Sequence, residues 1–123
     1  MTNRFTALTS LIVAVLFIAL VGCATSQPNV TNDFGTITGY VDADPQDAAV
    51  AAEKALTDQQ YIIINKFAGP NDAKIIARAD NDEKVEVRIT KQGDKVSKIQ
   101  IHVGSLGNEP KSLEIFENIR QHM

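Results

Sequence analysis

The chain has few of the residues on which most catalytic and ligand-binding sites depend. Its 123 residues include one cysteine, two histidines and no tryptophan, with only two tyrosines and five phenylalanines. A single cysteine cannot form an intramolecular disulfide, and it leaves too few thiols for a typical zinc site. The shortage of aromatic side chains argues against a sugar-stacking or drug-like pocket.

Positive charge is also scarce. Lys and Arg number 12 against 15 Asp and Glu, which gives a net charge of −3. Nucleic-acid-binding proteins and polybasic membrane patches need the opposite sign, because contacts with phosphate groups dominate their affinity. We therefore predict no nucleic-acid partner.

Three common sequence motifs of enzymes are missing as well. The chain contains no HExxH zinc motif, no GxSxG nucleophile motif and no glycine-rich phosphate loop. His102 falls on the polar side of a predicted strand, and His122 precedes the last residue. Ser105 lies between glycines that a turn requires, and Asp42, Asp44 and Asp47 suit the start of a helix better than a calcium loop. We predict no catalytic, cofactor or metal site, and a protein that is not an enzyme.

The longest apolar run is LIVAVLFIALV at residues 11–21, after a start whose only charge is Arg4. Eleven residues are too few to cross a hydrocarbon core of about 30 Å as a helix, but they are typical of a secretory signal peptide. The run ends in Leu20-Val21-Gly22-Cys23, which resembles the lipobox of bacterial lipoproteins. That resemblance implies cleavage between Gly22 and Cys23 and attachment of lipid, including an acyl chain such as palmitate, to Cys23. The alternatives are an uncleaved anchor and a buried free thiol.

Three segments follow from this interpretation. Residues 1–22 are a lipoprotein signal peptide, residues 23–33 a polar lipidated tether, and residues 34–123 a single folded domain. Ala24 and Thr25 after the cysteine differ from the Asp that retains some lipoproteins at the inner membrane. By resemblance, this favours the outer membrane, facing the periplasm, as the localisation.

The domain pattern predicts an α+β fold. Apolar and polar residues alternate in strands at 84–90 and 98–103, and further strands are predicted at 34–41, 61–67 and 74–79. Helices are predicted from Pro45 to about Thr57, after a cap at Asp44, and from a cap at Asn108 to Arg120 or beyond. The first helix should bury a narrow stripe that consists mostly of alanines, and the second should bury Leu113, Ile115, Phe116 and Ile119. Short turns join the strands, so we expect an antiparallel sheet of four to five strands with two helices on one face, in the order β-α-β-β-β-β-α.

Two segments, GYVDADPQDAAVAAEKAL and IHVGSLGNEPKSLEIFENIR, carry a family resemblance. They resemble the small bacterial lipoproteins grouped as domain of unknown function 3568. Val103, Gly104, Gly107, Asn108 and Glu109 occupy the closing motif of that family. The resemblance implies a lipobox, a strand, a helix, a meander and a final helix, and it implies no activity.

Two functional hypotheses remain. The first is a lipid-anchored cell-envelope module that binds another envelope protein or has a structural role, without catalysis. Its contact surface would be the sheet face away from the helices, which carries side chains including Glu86, Arg88, Lys98, Gln100 and His102. The alternative is a small-ligand binder or minor hydrolase that uses a cleft between the sheet and the helices.

Overall fold

The structure is a computed structural model that describes residues 30–123. The predicted signal peptide, with Gly22 and Cys23 at its predicted cleavage and lipidation site, lies outside the described residues. The elements in chain order are β1 (Val30–Asp33), β2 (Thr36–Val41), α1 (Pro45–Asp58), β3 (Ile62–Ala68), β4 (Asp72–Arg78), β5 (Lys84–Gly93), β6 (Val96–Val103) and α2 (Glu109–Gln121). The predicted α+β class, with two helices and an antiparallel sheet, is confirmed.

One antiparallel sheet contains six strands in the order β1-β2-β6-β5-β4-β3. Five of them overlap the predicted strands, but the expectation of four to five strands was wrong. The additional strand is β1, at the end of the segment interpreted as a tether. Its sequence, VTND, has one apolar residue and no alternation, so it carries no strand signal. It pairs with β2 after a two-residue turn, and Val30 packs against the core.

Both helices cover the same face of the sheet, and the core lies between the two layers. One row of paired residues crosses four strands at its centre, with every side chain buried: Ile37, Ile101, Val87 and Ile75. The core residues all fall between positions 37 and 119. Residues 30–123 therefore contain a complete hydrophobic core.

Helix α1 lies close to the sheet because its buried stripe consists mostly of alanines, as the sequence predicted. Pro45 occupies the first turn, and Asp47 adds a favourable charge near the helix N-terminus. The predicted cap at Asp44 is correct in position only, because its side chain makes no capping hydrogen bond. The Asp44 carbonyl instead accepts the first helical bond, from the Ala48 amide at 2.9 Å.

Helix α2 begins at a true side-chain cap, since Asn108 accepts a hydrogen bond of 3.1 Å from the Lys111 amide. Its buried face contains Ile115, Phe116 and Ile119, as predicted. Leu113 was also expected there, but it is only partly buried, and Ser112 takes the buried position. Residues 112, 115, 116 and 119 follow the helical period, from which residue 113 is turned by about 100°.

Candidate functional site

The face of the sheet opposite the helices, here called the open face, bears the polar side chains of the strands. The strand register places one row of side chains across it, from Thr36 on β2 through His102 on β6 and Glu86 on β5 to Ile76 on β4. The residues expected on this face all lie on it: Glu86, Arg88, Lys98, Gln100 and His102.

Glu86 is the centre of a charged cluster on the open face. It accepts a hydrogen bond from Arg88, and its carboxylate lies 3.6 Å from the Lys74 ammonium and 3.7 Å from that of Lys84. Partial burial by itself raises the pKa of Glu86. The Arg88 hydrogen bond and the three positive charges outweigh that effect, so the pKa lies below its ordinary value. Three cations around one carboxylate leave this part of the face locally positive.

His102 lies beside this cluster. Its Nδ1 is 2.9 Å from the Thr36 hydroxyl oxygen, and both residues line a shallow depression of about 270 Å³ with Glu86, Arg88 and Gln100. A hydroxyl-imidazole pair acts as a nucleophile and base when a third group, commonly a carboxylate, orients the imidazole. The nearest carboxylate along the row, Glu86, is bound by cations instead. The pair therefore lacks the orienting group of a hydrolytic triad.

The other histidine, His122, contacts an acidic side chain of α1. His122 Nε2 lies 2.7 Å from an Asp58 carboxylate oxygen, so the contact joins the C-terminal ends of the two helices. His102 lies on the open face and His122 on the helical layer, which means that the fold separates them. Within residues 30–123, no group of three or more His, Cys, Asp or Glu side chains is placed to hold a metal ion.

The acidic residues around the start of α1 remain near the surface. Asp42, Asp44 and Asp47 line an open depression of about 440 Å³, which Lys95 and His122 also line. At the β4–β5 turn, Arg78 binds Asp82 at 3.2 Å. Glu83, in the same turn, binds Lys111 of α2 at 2.8 Å. The Glu83 hydrogen bond and charge raise the pKa of Lys111 above its ordinary value.

The loop between β6 and α2 contains the GSLG sequence. Gly104 and Gly107 both have positive φ angles, of 74° and 82°, so the loop requires glycine for its turns, as expected. Asn108 already accepts a hydrogen bond from a first-turn amide of α2. That contact uses one of the amides that a helix start could otherwise offer to an anion.

Two features of the surface gave no clear signal in the sequence. The apolar segment YIIINKF forms the edge strand β3, where Ile62, Ile64 and Phe67 are more than half exposed. Phe34 and Leu106 lie in separate loops and are almost fully exposed. Period-two alternation identifies strands but does not say which strand becomes an edge, so only the sheet order reveals the exposed strip.

Comparison with known proteins identifies a family whose description gives no function. No curated protein matches the chain significantly. The family model described as "Protein of unknown function (DUF3568)" matches residues 6–122. The match covers almost the whole sequence, from before the apolar run to the end of α2, and the chain therefore belongs to the family of domain of unknown function 3568.

Proposed function

We propose that the chain is a lipoprotein of the bacterial cell envelope, anchored through lipid on Cys23, whose domain binds another envelope protein without catalysing a reaction. One observation carries the binding part of the proposal. The open face ends at β3 in a strip of exposed large apolar side chains beside cations, which is a costly arrangement for a face that meets only water.

The strip combines the residue types that protein interfaces use. Ile62 and Phe67 are 61% and 59% exposed. They pair across the sheet with Arg78 and Lys74 of β4, and half-buried Ile76 lies between these cations. Aromatic and arginine side chains are enriched in interfaces and supply most of their strongest contacts. A partner with an apolar and acidic surface would fit this strip.

The backbone edge of β3 is a weaker candidate for the contact. An exposed edge strand can accept a strand from a partner, but the β3 register shifts at Ile64, between Ile63 and Asn65. Lys66 also binds Glu53 of α1 at 2.9 Å, which ties the edge to the helical layer. Bulges and lysines are the devices by which native edges avoid strand addition. We therefore assign the contact to side chains of the open face.

Two observations support a non-catalytic role. Among residues 30–123, no carboxylate orients the His102 imidazole of the Thr36–His102 pair, and the pair lies in a shallow, open depression and not in an enclosed pocket. The residues between sheet and helices, where a ligand-binding cleft was the alternative, are buried in the core.

The membrane attachment is proposed from the lipobox resemblance, and the choice of the outer membrane is proposed from Ala24 and Thr25, which follow the cysteine. Among residues 30–123, no helix has the length and apolarity needed to span a bilayer. An acylated and diacylglycerol-modified Cys23 would anchor the chain firmly, since each buried CH₂ group contributes about 0.8 kcal/mol.

The test is crosslinking in living cells, with a photoreactive amino acid replacing Phe67 in the full-length tagged protein. The matched control places the same probe at Val50, which is exposed on α1 behind the sheet. We expect one envelope protein to be crosslinked from position 67 and not from position 50, and to be lost in the Cys23→Ala variant. Equal labelling from both positions, or none from position 67 while the protein is in the membrane fraction, would contradict the proposal.

A further inference from the structure

The two most exposed large apolar side chains of the described residues lie in two loops that contact each other. Phe34 is 95% exposed in the turn between β1 and β2, and Leu106 is 90% exposed in the loop between β6 and α2. They are here called the apolar tip. No other large apolar side chain in residues 30–123 exceeds 61%.

A backbone contact holds the two loops against each other. A Cβ added to Gly107 would lie 2.7 Å from the Gly35 Cα, and one added to Gly35 would lie 2.9 Å from the Gly107 Cα. Phe34 directly precedes Gly35, and Leu106 directly precedes Gly107. The Asn32 side chain reinforces the contact by accepting a hydrogen bond from the Gly35 amide at 3.1 Å and donating one to Glu109. The tip is therefore a defined part of the fold.

Phe34 is poorly suited to its position if folding alone is considered. Phe34 and Gly35 have φ angles of 51° and 79° and form a two-residue turn, because Asp33 pairs with Thr36. A turn with positive φ at both positions favours Asn-Gly or Gly-Gly, and a bulky side chain is strained there. A large apolar side chain in a strained and fully solvated position points to a role in binding.

The size of the tip favours a bilayer over a protein as its partner. An aromatic side chain contributes about 150–250 Å² of surface, so the pair offers a few hundred Å². A specific protein interface needs about 800 Å² from each side. Lipids adapt their packing around a protruding side chain and need no matching pocket. Asp33 and Glu109 flank the tip, which favours a zwitterionic surface over an anionic one.

The chain can bring the tip to the membrane that would hold Cys23. Val30 follows Cys23 by seven residues, which span at most about 25 Å. The tip lies at the far end of the four-residue strand β1, about 13 Å from Val30. Lipid on Cys23 would already hold the chain at the bilayer, so the effective concentration of the tip at the bilayer surface would be high. Under that condition two side chains are enough for binding.

We infer that the apolar tip inserts into the bilayer to which the chain is anchored and thereby sets the orientation of the domain, with Phe34 and Leu106 in the interfacial layer. This inference rests on the proposed function, because the lipid on Cys23 supplies the proximity.

The experiment uses the chain from Cys23 to Met123, which contains the complete core, coupled through its only cysteine to a maleimide lipid in phosphatidylcholine vesicles. Since the chain has no tryptophan, Phe34→Trp and Leu106→Trp each introduce a single fluorescent probe, and Val50→Trp is the matched control. We expect the two tip probes to shift their emission to shorter wavelength on coupling and to be quenched by brominated lipid. Val50→Trp should keep the emission of the uncoupled protein.

A second variant separates tip contact from folding. Phe34→Asn in the Leu106→Trp protein should reduce the quenching at position 106, while the thermal midpoint stays the same or rises because Asn suits the turn. Unchanged emission from both tip probes after coupling, or equal quenching of the Val50→Trp control, would overturn the inference. Chemical coupling replaces cellular lipidation and no protein partner is present, so a negative result here leaves the crosslinking test of the open face unaffected.

Discussion

Phe116 of α2 packs directly over Gly39 of β2, and this contact leads to a quantitative prediction. A Cβ added to Gly39 would lie 2.3 Å from Phe116 Cζ and 2.4 Å from its Cε2. Phe116 is fully buried, so its ring has little room to move away. Gly39→Ala should therefore overpack the sheet–helix interface.

The magnitude follows from two opposing effects. Overpacking a core typically costs about 1–3 kcal/mol of unfolding free energy. Alanine in a strand also restricts the unfolded chain, which stabilises the folded state by about 0.5–1 kcal/mol relative to glycine. The difference between these effects is about 0–2.5 kcal/mol, so we expect Gly39→Ala to destabilise the domain by about 1–2 kcal/mol, near the middle of that range.

The control is the same substitution in a variant whose Phe116 ring is replaced by a leucine side chain. Phe116→Leu alone should cost about 1–2 kcal/mol, from lost burial and a partial cavity. In that background Gly39→Ala should be neutral or stabilising, which gives a coupling free energy of about 1–3 kcal/mol between the two sites. Urea unfolding followed by far-ultraviolet circular dichroism measures all four proteins without needing tryptophan. Equal destabilisation by Gly39→Ala in both backgrounds would refute the assigned contact.

Two further predictions concern single polar side chains. Ser112 is buried in α2 and its hydroxyl has no hydrogen-bond partner among residues 30–123, so Ser112→Ala should leave stability unchanged or raise it by up to about 1 kcal/mol in the same urea assay. A loss above about 1 kcal/mol would reveal a partner. Because the folded-state pKa of Glu86 lies below its ordinary value of 4.5, its stabilising effect is present above that pH and is lost as the pH falls through the folded pKa. Glu86→Gln should therefore be less stable than wild type at pH 7, and the difference should shrink in acid; a difference independent of pH would contradict the charge assignment.

Local patterns in the sequence determined most of the architecture. The alternation of Val85, Val87 and Ile89 identifies a strand and its buried face together, because successive side chains point to opposite faces. The Asn108 cap and the spacing of Ile115 and Ile119 similarly locate α2 and its buried side. The lipobox resemblance around Cys23 also needs only neighbouring residues, and lipidation of that cysteine stays a prediction.

The sites at which the sequence was least informative depend on contacts between distant segments. Residues 30–33 lack a strand pattern and become β1 only because β2 offers a free edge and the core accepts Val30. Nothing local distinguishes β3 as the outer strand with an exposed Phe67, because strand order is decided by which edges meet during assembly.

The apolar tip shows the same division between local and tertiary information. The sequence identified a turn at Gly107, since glycine adopts positive φ without steric cost, but it placed Gly35 in the strand predicted at 34–41, whereas β2 begins only at Thr36. Only the tertiary structure decided that these two glycines touch and that the residues before them, Phe34 and Leu106, are both exposed in adjoining loops. Backbone conformation is set largely by the residue and its neighbours, whereas proximity across more than seventy residues is set by packing of the whole domain.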